Sequence, residues 1–138
     1  MSNIPSPKEV GVRWFTEVWN NRNTAIIPDL IAQEAKGHLE GGQEIVGPDQ
    51  FIEFQKVMFE TFPDMQVEVL NSLSDGDDTC VLWLARATHS GYGLGMSPTG
   101  KSVSVRGMTW LHVVNGKITE GWDSWDQGGL ISRLASQA

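Results

Sequence analysis

The sequence is poor in cysteine, histidine and basic residues, and each shortage narrows what the protein can be. Its 138 residues include 1 cysteine and 3 histidines. One cysteine cannot form an internal disulfide, so a cytoplasmic setting is expected, and a structural zinc site has too few ligands. Lysine and arginine total 10 against 17 acidic residues, a formal net charge of -7. Because an acidic surface repels phosphate groups, we expect neither nucleic acid nor an anionic membrane as a partner.

The chain also lacks any apolar run that approaches the roughly 20 residues of a membrane span. Its length predicts one domain that covers residues 1–138. Tryptophan, by contrast, occurs 6 times beside a single tyrosine. Such large rings in a small acidic domain indicate an aromatic core or an aromatic-lined cavity for a small hydrophobic molecule.

Three helices are predicted in the first half of the chain. The first begins after Ser6, which can cap it, and continues to about Trp19 with apolar residues at helical spacing. A short second helix is expected near Thr24–Ala32. The third begins at Pro48 and ends at Phe62, because the residue before a proline avoids the helical region.

The second half changes to a period of two, which is typical of strands. The predicted strands are Lys36–Leu39, Met65–Val69, Thr79–His89, Ser102–Val114 and Lys117–Trp125, with a loop at Ser90–Gly100 and a last short helix at Leu130–Ala135. This order predicts an α+β fold: a strongly curved antiparallel sheet whose concave face carries the three N-terminal helices, which together form a cone-shaped cavity.

Several short motifs occur in a recognisable order along the chain. They are Phe62-Pro63-Asp64, Thr88-His89-Ser90-Gly91, Pro98-Thr99-Gly100-Lys101, Asn115-Gly116-Lys117-Ile118, Trp122, Asp126 and the segment Leu130 to Leu134. In this order and spacing the chain resembles the SnoaL-like polyketide cyclases, also called predicted ester cyclases, from about Lys8 to Leu134. That family has the nuclear transport factor two-like cone fold, and the resemblance implies the same fold for this chain.

The resemblance also implies a catalytic pair. The characterised cyclases use an aspartate on the last strand as general acid and base for an intramolecular aldol closure, and Asp126 sits at the matching place. The family places a cavity histidine fourteen residues earlier, which gives His112 (126 − 112 = 14). The substrate-binding residues expected around this pair are His38, His89, Trp14, Trp110, Trp122 and Arg106. This chemistry requires neither a metal nor a cofactor.

Whether His112 and Asp126 meet depends on the hairpin between their strands. Residues of one parity share a face of a strand, so Trp122 lies on the side of Asp126 and Trp110 on the side of His112. A two-residue Asn115-Gly116 turn separates the two faces, whereas a three-residue loop brings them together. The residues alone favour the shorter turn and the resemblance favours the longer one; we follow the resemblance.

These observations predict a cyclase-type enzyme that performs acid/base chemistry on a hydrophobic carbonyl compound. The alternative is a non-catalytic binding protein of the same fold for small hydrophobic ligands. A limonene-type epoxide hydrolase ranks third, because its Asp-Arg-Asp cluster has only Arg106 and Asp126 as candidates here. A homodimer is expected, with Trp125 and its same-face neighbours Thr119, Gly121 and Asp123 in or beside the interface, on the side away from the cavity.

Overall fold

A curved sheet of six strands carries helices on its concave side in the computed structural model, which describes residues 3–136. The helices are α1 (Pro7–Arg13), α2 (Ile27–Leu30), α3 (Gly47–Thr61) and α4 (Gln127–Ala135). The strands are β1 (Ile31–His38), β2 (Glu44–Val46), β3 (Gln66–Asp75), β4 (Asp78–Thr88), β5 (Ser102–Val114) and β6 (Lys117–Trp125). The α+β cone is therefore confirmed. Within the described residues, no helix is long and apolar enough to cross a membrane.

The sheet is antiparallel except at one junction. Its strand order is β2-β1-β6-β5-β4-β3, and β1 pairs with β6 in parallel. The other neighbours run antiparallel, including β5 with β6 as the sequence predicts. A hairpin fixes its two strands as antiparallel, but β1 and β6 are joined by most of the chain, so no turn dictates their direction.

The short second helix ends earlier than predicted. A single 3-10 turn (Thr24–Ile26) leads into α2, and Ile31 and Ala32 already belong to β1. Ile31 is buried and pairs with Ile118 of β6, which explains why the chain leaves the helix there. The predicted Lys36–Leu39 strand is thus the second half of a longer strand, and the three-residue β2 was not predicted.

The first helix changes its hydrogen bonding halfway. Ser6 caps α1 by accepting from the backbone N–H of Glu9 at 3.2 Å. From Trp14 to Asn20 the helix is of the π type, with bonds that span five residues instead of four. Because of that wider turn, Trp14 and Trp19 point the same way. Both rings pack on Phe51 of α3, at centroid distances of 4.5 and 5.5 Å.

The hairpin between β5 and β6 combines the two registers that the sequence left open. Its turn has two residues, Asn115 and Gly116, both with positive φ (51° and 77°). An extra residue at Thr119 then forms a β-bulge that shifts the pairing by one, so that Trp110 lies opposite Trp122. Even-numbered residues of β5 therefore share a face with even-numbered residues of β6, as a three-residue loop was expected to achieve.

Gly107 of β5 provides room for two tryptophans, and we expect Gly107→Ala to destabilise the fold. A Cβ on Gly107 would lie 2.6 Å from Cη2 of Trp83 and 2.8 Å from Cβ of Trp125. Overpacking of this kind costs about 1–3 kcal/mol of unfolding free energy. Urea denaturation measures the loss. The exposed Ser104 on the same strand gives the control, since Ser104→Ala should change stability little; equal stability of both variants would contradict the expectation.

Candidate active site

A cavity of about 150 Å³ lies between the concave face of the sheet and the helices. Its wall is mainly apolar and rich in rings: Trp14, Phe15, Trp19, Phe51, Phe54, Phe62, Trp83 and Trp125. Apart from Ile118, which precedes the bulge, the residues of β5 and β6 that line it are odd-numbered: Val103, Val105, Thr109, Leu111, Gly121, Asp123 and Trp125. A site of this composition suits a small hydrophobic ligand that is oriented by few polar groups.

Asp123 places a carboxyl group in this apolar wall. It stands directly opposite Thr109 in the β5–β6 pairing. The Thr109 hydroxyl donates to Oδ1 of Asp123 at 2.8 Å and accepts from the indole N–H of Trp83 at 3.0 Å. Since the indole can only donate, the hydroxyl proton must point to Asp123. Oδ1 is therefore held in place, and Oδ2 has no hydrogen-bond partner among the described residues.

Burial changes the acidity of this carboxyl group. Enclosure by protein raises the pKa of Asp123 to about 6, because desolvation penalises the charged form. The hydrogen bond from Thr109 opposes this shift, and the negative charge of Glu40 adds to it. A carboxyl group with a pKa close to neutral can both take up and release a proton under ordinary conditions, which a general acid/base needs.

Asp126 does not lie in the cavity, so its predicted placement is wrong. It follows the last residue of β6 and caps α4, where its side chain accepts from the backbone N–H of Gly129 at 2.9 Å. The residue is exposed. An aspartate directly before a Gln-Gly-Gly helix start favours this capping role, because its oxygen satisfies an otherwise free N–H of the first turn.

His112 and Trp110 also lie outside the cavity. They occupy the face of the sheet opposite the helices, which we call the outer face. Nδ1 of His112 and the indole N–H of Trp110 both bind Oδ1 of Asp78, each at 3.0 Å. These two hydrogen bonds lower the pKa of Asp78. The expected pairing of His112 with Asp126 is therefore replaced by a surface cluster around Asp78.

His38, Trp122 and Arg106 belong to the outer face as well. His38 borders the cavity through its place on β1, but its Nε2 lies 2.7 Å from Oε2 of Glu120 and its ring stacks on Trp122 at 5.4 Å. Arg106 stands opposite Leu84 and is exposed. The expectation that Trp110, Trp122 and Arg106 line the cavity is wrong, because the even-numbered residues of β5 face outward and the bulge gives the even-numbered residues of β6 beyond it the same orientation.

His89 is buried elsewhere, away from the cavity wall. Its Nδ1 accepts from the backbone N–H of Thr99 at 3.3 Å and lies 3.0 Å from the Thr99 hydroxyl, while Nε2 is buried and has no hydrogen-bond partner among residues 3–136. The imidazole thus ties together the two ends of the Ser90–Gly100 loop. The family resemblance implies that His89 binds the substrate, but in the structure its side chain holds the Ser90–Gly100 loop together.

Of the tryptophans Trp14 and Trp125, one lies where the sequence predicts it and the other lies on the opposite side. Trp14 lines the cavity as predicted, with its ring against Phe51. Trp125 was predicted on the side away from the cavity, together with Asp123, but both residues line it. The expectation that the odd-numbered face of β6 lies on the side away from the cavity is therefore wrong.

The residues that sequence reasoning missed are Asp123 and Thr109. Their signal is the fourteen-residue spacing itself: counted from Asp123 instead of Asp126 it leads to Thr109 (123 − 109 = 14), where the resemblance implies a histidine. The hydroxyl of Thr109 fills that position and holds the carboxylate. Among residues 3–136, no group of three His, Cys, Asp or Glu side chains is arranged to hold a metal ion.

The architecture and the enclosed site define a protein of the nuclear transport factor two-like class, a curved sheet wrapped around a cavity. The profile of the SnoaL-like polyketide cyclases matches residues 9–134, so the chain belongs to that family. None of the curated proteins matches this chain.

Solved structures agree with this assignment. A candidate SnoaL-like polyketide cyclase from Jannaschia sp. CCS1 superposes with a TM-score of 0.90 at 24% identity, covering 100% of this chain and 98% of the other. A candidate polyketide cyclase from Acidithiobacillus ferrooxidans has a TM-score of 0.81 at 28% identity, covering 100% of both chains. AclR from Streptomyces galilaeus, a candidate hydroxylase, has a TM-score of 0.79 at 26% identity, covering 93% of this chain and 80% of that one. One fold thus carries different assigned activities.

The buried carboxyl group makes stability depend on pH, and Asp123→Asn should remove that dependence. Since the pKa is about 6 in the folded state and roughly 3.9 in the unfolded state, the free energy of unfolding falls as pH rises between these values. The total loss is at most on the order of 3 kcal/mol. Urea denaturation across this range measures it. Asp126→Asn should keep the wild-type slope, and an Asp123→Asn protein with an unchanged slope would contradict the assignment.

Proposed function

We propose that the protein is a cyclase-type enzyme that performs acid/base chemistry on a hydrophobic carbonyl compound, with Asp123 as the catalytic residue. One observation carries the proposal: a carboxyl group with a pKa raised to about 6 has one oxygen fixed by Thr109 and the other unpartnered in an apolar cavity. The family to which the chain belongs supports it, since its name describes cyclases of polyketides.

The geometry assigns a role to each oxygen of the carboxylate. Oδ2 takes a proton from a carbon atom next to a carbonyl group, which leaves an enolate. The enolate carbon then attacks a second carbonyl carbon of the same molecule, a carbon–carbon bond forms, and the resulting alkoxide recovers the proton from Oδ2. Throughout, Thr109 holds Oδ1, and the aromatic wall limits the access of water to the reacting atoms.

The cavity provides little to stabilise an enolate. The imidazoles of His38 and His112 bind acidic residues on the outer face, and that of His89 binds Thr99. The substrate must therefore contribute to the acidity of its own C–H group, for example through a second carbonyl group on the same carbon. A pair of flanking carbonyl groups, as in a polyketide chain, meets this requirement.

The same shortage supports the second candidate, a binding protein without turnover. If no group assists the enolate, the cavity holds a hydrophobic molecule and Asp123 only orients it. The epoxide hydrolase candidate loses its support, because Arg106 lies on the outer face and cannot join Asp123.

Proton exchange on a surrogate ketone separates enzyme from binding protein without the natural substrate. We expect the protein to accelerate deuterium uptake at the acidic CH₂ group of 2-tetralone in D₂O, followed by proton NMR. Asp123→Asn keeps the shape and removes the base, so the acceleration should fall by roughly 10²–10⁴-fold.

Asp126→Asn is the matched control for this experiment. It makes the same chemical change three residues along the chain, outside the cavity, and asparagine caps a helix about as well as aspartate. Its exchange rate should equal that of the wild type. Binding of 2-tetralone without any acceleration, or equal acceleration by the Asp123→Asn protein, would favour the binding protein over the enzyme.

We also propose a homodimer, formed through the outer face instead of the Trp125 side. Three large apolar side chains are exposed there: Met108 by 51%, Trp110 by 53% and Trp122 by 41%. They lie side by side. Met108 and Trp110 are two residues apart on β5 and therefore share a face, and Trp110 pairs with Trp122 at a distance of 6.4 Å between ring centroids. Exposed aromatic clusters of this kind are typical of interfaces, and a second copy offers a self-complementary partner.

Replacement of the central tryptophan tests the dimer. Trp110→Glu should give a monomer in sedimentation velocity at micromolar concentration, where the wild type should sediment as a dimer, because a charge at the centre of an apolar interface is costly. The control is Val57→Glu, which places the same charge on α3, on the helix side of the sheet, at a residue that is 54% exposed. A wild type that is monomeric at high micromolar concentration would contradict the proposal.

A further inference from the structure

Asp123 has no cationic partner within the part of the chain that the structure describes. Among residues 3–136, the ion pairs do not include it. Two other ionisable residues border the cavity, Lys36 and His38. Lys36 is exposed and stands opposite Glu120 in the β1–β6 pairing, and His38 is bound by the same Glu120. When it is ionised, Asp123 therefore presents an uncompensated negative charge through Oδ2.

The surroundings of the cavity strengthen this negative potential. Glu40, in the turn after β1, is close enough to Asp123 that its charge adds to the upward shift of the pKa. The chain as a whole carries a net charge of -7. A ligand with a carboxylate or phosphate would therefore be repelled on approach and again at the wall. A positively charged ligand would be attracted at both stages.

The remaining wall is suited to a cation as well. Trp14, Trp19, Trp83 and Trp125 all border the cavity. The faces of tryptophan rings attract ammonium groups more strongly than those of other aromatic side chains. Rings that bind the apolar part of a ligand can therefore also stabilise a charged group beside it.

We propose that the cavity selects its ligands by charge, and that its preferred class is a hydrophobic compound of one or two rings that carries a protonated amine. The ammonium group donates to Oδ2 of Asp123, and the rings of the ligand pack on the tryptophans. This goes beyond the proposed function, because it rests on the cavity and its single carboxylate and not on turnover.

The binding energy has a physical source. Folding has already removed part of the hydration of the carboxylate, so ligand binding does not require that part of the loss again. A hydrogen bond between two charged groups is about twice as strong as one between neutral groups. The bound ammonium also relieves the penalty that burial imposes on the ionised form of Asp123.

Three probes with the same two rings test the charge preference. They are 2-naphthylmethylamine, 2-naphthalenemethanol and 2-naphthoate, which are cationic, neutral and anionic near neutral pH. Isothermal titration calorimetry should show that the amine binds roughly tenfold or more tightly than the alcohol, and that naphthoate binds more weakly than the alcohol. The proposal is overturned if the alcohol or naphthoate binds as tightly as the amine, or if the amine does not bind at millimolar concentration.

Asp123→Asn identifies the source of the preference. It should reduce the ratio of amine to alcohol affinity to near one, whereas Asp126→Asn should leave the ratio at its wild-type value. Equal ratios in the two variants would overturn the assignment to Asp123.

The pH dependence of probe binding to the wild-type protein is a further test. Asp123 becomes neutral as pH falls through about 6, so the preference for the amine should decline between about pH 8 and about pH 5. A preference that is constant over this range would contradict the proposal.

The two proposals can fail separately. If the amine preference depends on Asp123 but 2-tetralone exchange is not accelerated, the enzyme proposal is wrong and the charge selection stands. If exchange depends on Asp123 but the three probes bind equally, the charge selection is wrong and the enzyme proposal stands.

Discussion

One extra residue in β6 decides which carboxylate the cavity receives. The bulge at Thr119 brings Asp123 opposite Thr109. Without it, the two-residue turn would continue into a regular ladder, and Asp123 would point to the outer face opposite Met108. The position of this carboxyl group in the cavity wall and its hydrogen bond to Thr109 follow from this single shift in register, which also places Trp122 on the outer face beside Trp110.

The hydrogen bond between Thr109 and Asp123 also shows how the fold tolerates a polar group in an apolar wall. An isolated buried carboxylate would be strongly disfavoured. Thr109 offsets part of that penalty, and its own hydroxyl is oriented by Trp83. Some penalty remains, as the raised pKa shows. The protein therefore keeps in its cavity wall a carboxyl group whose ionisation costs stability, as the proposed acid/base role requires.

The sequence predicts most of the architecture, because helix starts and strand alternation are local signals. The sequence also indicates which face of β5 points to the cavity. The odd-numbered residues Val103, Val105, Leu111 and Val113 are apolar, whereas the even-numbered residues Ser102, Ser104, Arg106 and His112 are polar. The family resemblance, which implies His112 and Asp126 as cavity residues, points instead to the even-numbered face of β5, which is the outer face. The bulge itself has no local signature, since pairing between strands determines it.

The distribution of the tryptophans has a spectroscopic consequence. Four of the 6 indoles border the cavity, and the other two, Trp110 and Trp122, lie on the outer face. The sheet separates the two groups. Ligand entry and contact between subunits would therefore perturb different fluorophores, and replacement of Trp110 and Trp122 by phenylalanine would leave an emission spectrum that reports on the cavity alone.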